Sequence, residues 1–185
     1  MISEIDVTRH FIKYAPEVIE KNTRPVSAIA PGVLGTTGIE TMEVISGIVE
    51  KIKPKLIIVI DSLCSKSIER ISSTVQISDT GIVPGAGVGN ARNEISINTL
   101  GIPVIAIGVP MVVEVATIAV DAIDSFIEKL QNDVKSNNYL NKLKEEYKYN
   151  IIKEVLVPKE YNLIVTPKEI DDLIENMKNV LAMRN

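Results

Sequence analysis

The chain has 185 residues, 45% of them apolar and 24% charged, with a formal net charge of −4. This is the composition of a soluble globular protein large enough to bury a sizeable core. With no basic stripe, no Trp and few other aromatics to stack on bases, it argues against nucleic-acid binding.

The single cysteine, Cys64, excludes an internal disulfide and fits a reducing, cytoplasmic setting. The opening "MISEIDVTRH" is polar and acidic and does not read as a secretory signal. The longest apolar stretch, "IPVIAIGVPMVV", is broken by Pro103 and Pro110 and is too short to span a bilayer.

Taken in chain order, Val7, Phe11, Tyr14 and Val18 recur at helical spacing. A β-branched run predicts a strand at Val26–Ala30, followed by the loop "PGVLGTTGIE". A helix is predicted over Gly38–Lys51, with Ile39, Met42, Ile45 and Val49 inward. Strands are predicted at Leu56–Ile60, Thr74–Ser78, Val104–Ile107 and Asn162–Val165.

Two of these runs, "LIIVI" and "VIAIG", are continuous rather than alternating, as in strands covered on both faces. Met111–Leu130 reads as a deeply buried helix, and Leu140, Leu143 and Tyr147 mark a surface helix within a mobile excursion, Lys129–Lys153. In "VTPKEID", Thr166 is a capping residue, Pro167 suits the first helical position and Glu169 completes a capping box; Ile170, Leu173, Ile174, Met177 and Leu181 then face the core. The alternation predicts one α/β domain over residues 1–185, a three-layer sandwich around a mostly parallel sheet.

In such sheets ligands sit beyond the carboxyl ends of the strands. Three segments fall there: Pro31–Glu40, Asp61–Ser67 and "QISDTGIVPGAGVGNAR". Their candidate cleft residues are Gly35, Thr36, Gly38, Glu40, Ser62, Asp79, Gly85, Gly87, Gly89 and Asn90. Asp61 has two readings. It ends an apolar strand, where partial desolvation tunes a carboxylate for acid–base work, or it caps a following helix.

The glycine loop has neither the dinucleotide spacing nor the Gly-Lys-Ser/Thr of a phosphate loop, so positive φ and close backbone approach explain it better than a nucleotide. Asp79 reads as a turn former before Thr80-Gly81, or as a second acid. His10 is the sole histidine, which excludes a histidine-rich metal site, and no cofactor is expected. Cys64 reads as a small hydrophobe, and Ser62, Ser65 and Ser67 lack the elbow of a hydrolase nucleophile.

Four stretches together, "RPVSAIAPGVLGTTGIET", "IDSLCSKSIERISSTVQISDTGIVPGAGVGNARNEIS", "TLGIPVIAIGVP" and "VTPKEID", resemble the germination protease family of spore-forming bacteria. The resemblance implies an aspartate-dependent endopeptidase, made as a zymogen, homotetrameric, acting in the spore core on small acid-soluble spore proteins, and similar in fold to the hydrogenase-maturation peptidases. It places one catalytic aspartate on Asp61. The second belongs to a "TPDALGP"-like segment ahead of the "VTRH" helix that this sequence lacks, so the chain is expected to be the carboxyl-terminal part of such an enzyme and inactive alone. A noncatalytic relative that binds spore proteins or assembles with other subunits is the alternative. Val83 stands where the family often has histidine.

Overall fold

The computed structural model describes residues 6–133, 145–156 and 163–182. In chain order the elements are α1 (Arg9–Tyr14), α2 (Leu34–Thr37), α3 (Thr41–Ile52), β1 (Ile57–Ser65), β2 (Gln76–Ser78), α4 (Ile97–Leu100), β3 (Val104–Glu114), α5 (Val115–Asp133), α6 (Glu145–Leu156), β4 (Ile164–Val165) and α7 (Ile170–Ala182). They fall into two compact units, Met1–Lys53 with Asp171–Asn185, and Pro54–Ile170.

In the first unit the predicted strand Val26–Ala30 does not form. Its first residue, Val26, is tied instead to the start of α1. Val26 N–H donates to Thr8 Oγ1 at 2.9 Å, and the Val26 carbonyl accepts from Thr8 and Arg9 N–H at 3.1 and 3.0 Å. The helix read from Val7 to Val18 is α1 followed by a 3₁₀ turn at Pro16–Val18, because Pro16 cannot continue the helical ladder. Met42, Ile45 and Val49 are half-buried along α3 as their spacing requires, whereas Ile39 precedes the helix and stays exposed. The last helix starts at Ile170, later than Pro167, with Asp171 and Asp172 placing negative charge in its first turn. Leu173, Met177 and Leu181 are half-buried, but Ile174 is exposed.

The second unit is built on β3. This strand pairs in parallel with β1 and antiparallel with β2 and β4, so the sheet is mixed and not mostly parallel. Its "VIAIGVPMVVE" run is longer than predicted and takes in Met111–Glu114, which the pattern had assigned to a helix. The continuous apolar run persists as strand because β1 keeps pairing with it up to Val113.

Val104, Ala106, Val109, Met111 and Val113 are buried, each fully sequestered valine contributing roughly 1.5–3 kcal/mol. Between Leu63 and Cys64 the register slips, and Met111 is the extra residue. Proline is tolerated beside such a bulge, which accounts for Pro110 in a central strand. Ser72 fastens to the same place, its N–H on the Pro110 carbonyl at 2.8 Å and its hydroxyl on Met111 Sδ at 3.2 Å.

α5 follows β3 without a loop and buries Ala116, Thr117 and Val120 on one face. α6 is tied to it by Lys148 and Asp124, 2.6 Å apart. Leu140 and Leu143, like most of the predicted excursion ahead of α6, lie outside the described residues, while Tyr147 on α6 is exposed. No helix among the described residues is long and apolar enough to cross a membrane.

Candidate functional site

Asp61 lies inside β1, not at its end, and no helix opens at it. The helix-cap reading therefore fails. β1 runs on through Ser65 because β3 offers it a ladder partner at each step, Asp61 opposite Gly108. The Asp61 carboxylate accepts the N–H of the next residue, Ser62, through Oδ1 at 2.8 Å, and it has no ion-pair partner among the described residues. Burial pushes its carboxyl above the ordinary carboxylate value, and the Ser62 hydrogen bond pulls it back part of the way. It is thus a half-buried acid inclined to hold a proton longer than an exposed one.

The side chain opens onto a cavity of about 620 Å³. One wall is β1 from Asp61 to Ser65, and the facing wall is the glycine loop from Ile82 to Val88. Loop geometry follows from its glycines. Ile82 and Ile95 exchange backbone hydrogen bonds at 3.0 and 2.8 Å and close the base. Gly85 has φ +73°, and a Cβ there would strike the Asn90 carbonyl at 2.2 Å; the loop is pinned at that point by Asn90 N–H on the Gly85 carbonyl, 3.0 Å. Gly87 needs no special φ, but a Cβ would stand 3.0 Å from Cys64 Cβ, so the loop lies directly against β1. Positive φ and close approach are what the glycine pattern had suggested.

Asp61, Ser62, Gly85 and Gly87 are therefore brought to one cavity. Gly89, Asn90 and Asp79 do not line it. The Gly89 N–H is spent on the Ala86 carbonyl at 3.3 Å. Asp79 is exposed, and Ser78 rather than Asp79 closes its turn, with Ser78 Oγ 2.6 Å from Thr80 Oγ1 and accepting Thr80 N–H at 3.1 Å. Gly35, Thr36, Gly38 and Glu40 belong to the first unit. There Gly35 and Thr36 form α2, Gly38 ends it at φ +68°, and Glu40 precedes α3, its N–H bound by Glu43 Oε2 at 3.0 Å.

Several cavity residues carry no individual signal in the sequence, although Leu63, Lys66 and Gln76 lie within the segments expected to border the cleft. Leu63, Lys66, Arg70 and Gln76 all line it. Leu63 became visible only when β1 proved longer than its apolar run, and Gln76 only through the antiparallel register that sets it opposite Gly108. Val83 also lines the cavity and makes that part of the wall apolar.

Cys64 is a second titratable group, among the described residues, whose proton affinity is perturbed. Burial first, then the nearby Glu114 carboxylate, push its thiol up, against a hydrogen bond from the Glu114 backbone and the Lys153 ammonium. Glu114 is held by Tyr149, whose hydroxyl donates to Oε2, and by Lys153 at 3.6 Å. A protonated thiol is a poor nucleophile, so Asp61 is the group in this cavity suited to proton transfer.

A sequence profile described as germination protease matches residues 1–143 and 138–184. The chain is 50% identical over 186 residues to a protein named germination protease from Clostridium perfringens (strain 13 / Type A), covering 98% of this chain and 57% of that protein. The relative of that name from Clostridium acetobutylicum gives the same figures, 50% over 186 residues, 98% and 57%. The Bacillus mycoides (strain KBAB4) relative is 46% identical over 217 residues, with 98% and 59% covered. The chain thus spans less than two thirds of the length of these curated relatives.

Proposed function

Since this chain belongs to the germination protease family, we propose that its cavity is part of the active site of an aspartate-dependent endopeptidase that degrades small acid-soluble spore proteins when spores germinate. The observation that carries this is Asp61: a half-buried carboxylate, without an ion-pair partner among the described residues, opening onto a cavity walled by a close-fitting glycine loop.

Peptide hydrolysis at such a site divides the work between two acids. An ionised carboxylate takes a proton from the attacking water, while a protonated one polarises the scissile carbonyl. Their repulsion separates the two proton affinities. Asp61, whose burial favours the protonated form, suits the second role while substrate binds and is left ionised once its proton is given up. No other Asp or Glu lines the cavity among the described residues, and on this proposal the second carboxylate comes from sequence outside these 185 residues. The chain alone is then inactive. The family's zymogen processing, tetrameric assembly, spore-core location and resemblance in fold to hydrogenase-maturation peptidases belong to the same proposal.

The test joins the chain to the upstream sequence of the Clostridium perfringens relative and follows cleavage of an acid-soluble spore protein. The extended protein is expected to cleave, the 185-residue chain is not, and Asp61→Asn lowers turnover by about 10²–10⁴-fold. Undiminished turnover in Asp61→Asn overturns the assignment. That Asp61 is the only carboxylate lining the cavity among the described residues also favours a second reading, a noncatalytic relative that binds spore proteins or assembles with other subunits. Binding without cleavage by the extended protein selects it.

A further inference from the structure

Asp61 and Gln76 flank the same residue of the central strand, Gly108, one from each side. The middle of that row has no side chain of its own. Leu63 fills it. It leaves β1 two residues after Asp61, on the same face of the strand. A Cβ built on Gly108 would stand 2.3 Å from Leu63 Cδ1, 2.7 Å from Cγ and 3.0 Å from Cδ2. The isobutyl group therefore occupies the place a side chain at 108 would take. Gly108 is not among the residues with positive φ, so its requirement for glycine is steric and not conformational.

Adjacent strands lie about 4.8 Å apart, so Leu63, standing in the side-chain place of Gly108, neighbours the Asp61 side chain across the β1–β3 pair. Asp61, Leu63 and Gln76 all line the one cavity. We infer that Leu63, seated on Gly108, is a positioning residue for Asp61: it excludes water from one side of the carboxylate and leaves the other side open to the cavity.

The inference rests on the proposed role of Asp61 for its functional meaning, but its physical content stands by itself. Burial is the largest influence on Asp61, and Leu63 is the apolar side chain that takes the side-chain place of Gly108, the residue paired with Asp61. The other titratable groups facing the cavity are Cys64 and Lys66 from the β1 side and Arg70 from the following 3₁₀ turn. The facing loop, Ile82–Val88, contributes none, and the lining residues of β2, β3 and β4 are Gln76, Val112 and Ile164.

Carbon-13 titration of the Asp61 carboxyl in the 185-residue chain tests this without recourse to activity. Leu63→Ala is expected to move the Asp61 titration down toward the ordinary carboxylate range, Leu63→Met to leave it in place, and Gly108→Ala, which unseats Leu63, to move it as Leu63→Ala does. Leu63→Val, the gentler truncation, gives the answer if Leu63→Ala does not fold, with a smaller shift of the same sign. An unchanged Asp61 titration in the folded variants overturns the inference. In the extended protein Leu63→Ala and Leu63→Val are expected to shift the pH profile of kcat/KM in the same direction. An Asp61 that responds to Leu63 in a protein still active as Asp61→Asn refutes the protease assignment and leaves the inference about Leu63 standing.

Discussion

Gly87 and Cys64 pack tightly where the glycine loop meets β1: a Cβ at 87 would stand 3.0 Å from Cys64 Cβ and 3.6 Å from its backbone nitrogen. A branched side chain there must push the loop off β1. Gly87→Val in the extended protein is expected to lower kcat/KM at least tenfold, since small misplacements at a reacting site are costly. Kinetics on an acid-soluble spore protein check this, and unchanged turnover and affinity refute a role for the loop in shaping the cleft.

The loop's glycines are not equivalent. Gly85 and Gly89 have similar φ, +73° and +71°, but a Cβ on Gly85 meets the Asn90 carbonyl at 2.2 Å whereas one on Gly89 meets nothing within 4 Å. Gly89→Ala is expected to cost about 1–2 kcal/mol, the left-handed penalty. Gly85→Ala is expected to cost more, about 3 kcal/mol or above, because the clash adds to it. Urea denaturation of the two variants measures the difference.

Asp61 is also expected to cost stability. Its carboxyl binds a proton more tightly folded than unfolded, because burial raises it above 3.8. Its contribution to stability is fully present below the unfolded value and is lost as pH rises through the folded one. Asp61→Asn keeps an oxygen for the Ser62 N–H and removes that loss. Its Tm at pH 7 is expected to exceed that of the parent chain, with the gap closing as pH falls below the ordinary carboxylate value. A lower Tm at pH 7 contradicts the raised proton affinity.

Cys64 is expected to alkylate slowly. Burial and Glu114 hold its thiol above 9.0, and Lys153 opposes them. Iodoacetamide at pH 7.5 is therefore expected to react with it several-fold more slowly than with a free thiol. Glu114→Gln speeds the reaction and Lys153→Met slows it. Mass spectrometry of the alkylated chain follows the rates.

Ser96 caps α4 from a fully buried position, its Oγ accepting Asn98 N–H at 3.2 Å while Thr99 Oγ1 accepts Ser96 N–H at 3.1 Å. Ser96→Ala is expected to destabilise the chain by about 1 kcal/mol, the usual cost of a lost cap, because it leaves the Asn98 N–H without its acceptor. Ser96→Ala at unchanged stability refutes the capping account, whereas Ser96→Gly is expected to cost only a few tenths of a kcal/mol.

The sequence made the central sheet legible where hydrophobic runs are long and unbroken, as in "LIIVI" and "VIAIG". It failed where pairing, not pattern, decides. Asp61, Ser62 and Ser65 read as the start of a helix or loop, yet β3 holds them as strand. Val26–Ala30 had strand composition, but Thr8 rather than a neighbouring strand binds Val26. In the site, Asp61 and the glycines were visible because their chemistry and backbone freedom are intrinsic to residue type. Leu63 and Gln76 were not, since an ordinary leucine or glutamine gains meaning only from the strand position that a glycine opposite leaves empty.

During synthesis, β1 and β2 leave the ribosome well before Val104, and each finds its ladder partner among the described strands in β3 alone. The amides and carbonyls along their edges must wait for the eleven residues Val104–Glu114 to emerge. That delay, at elongation rates of about 5–20 residues per second, lasts seconds. It is the interval in which the nascent chain is most open to pairing with a neighbour's strand instead of its own.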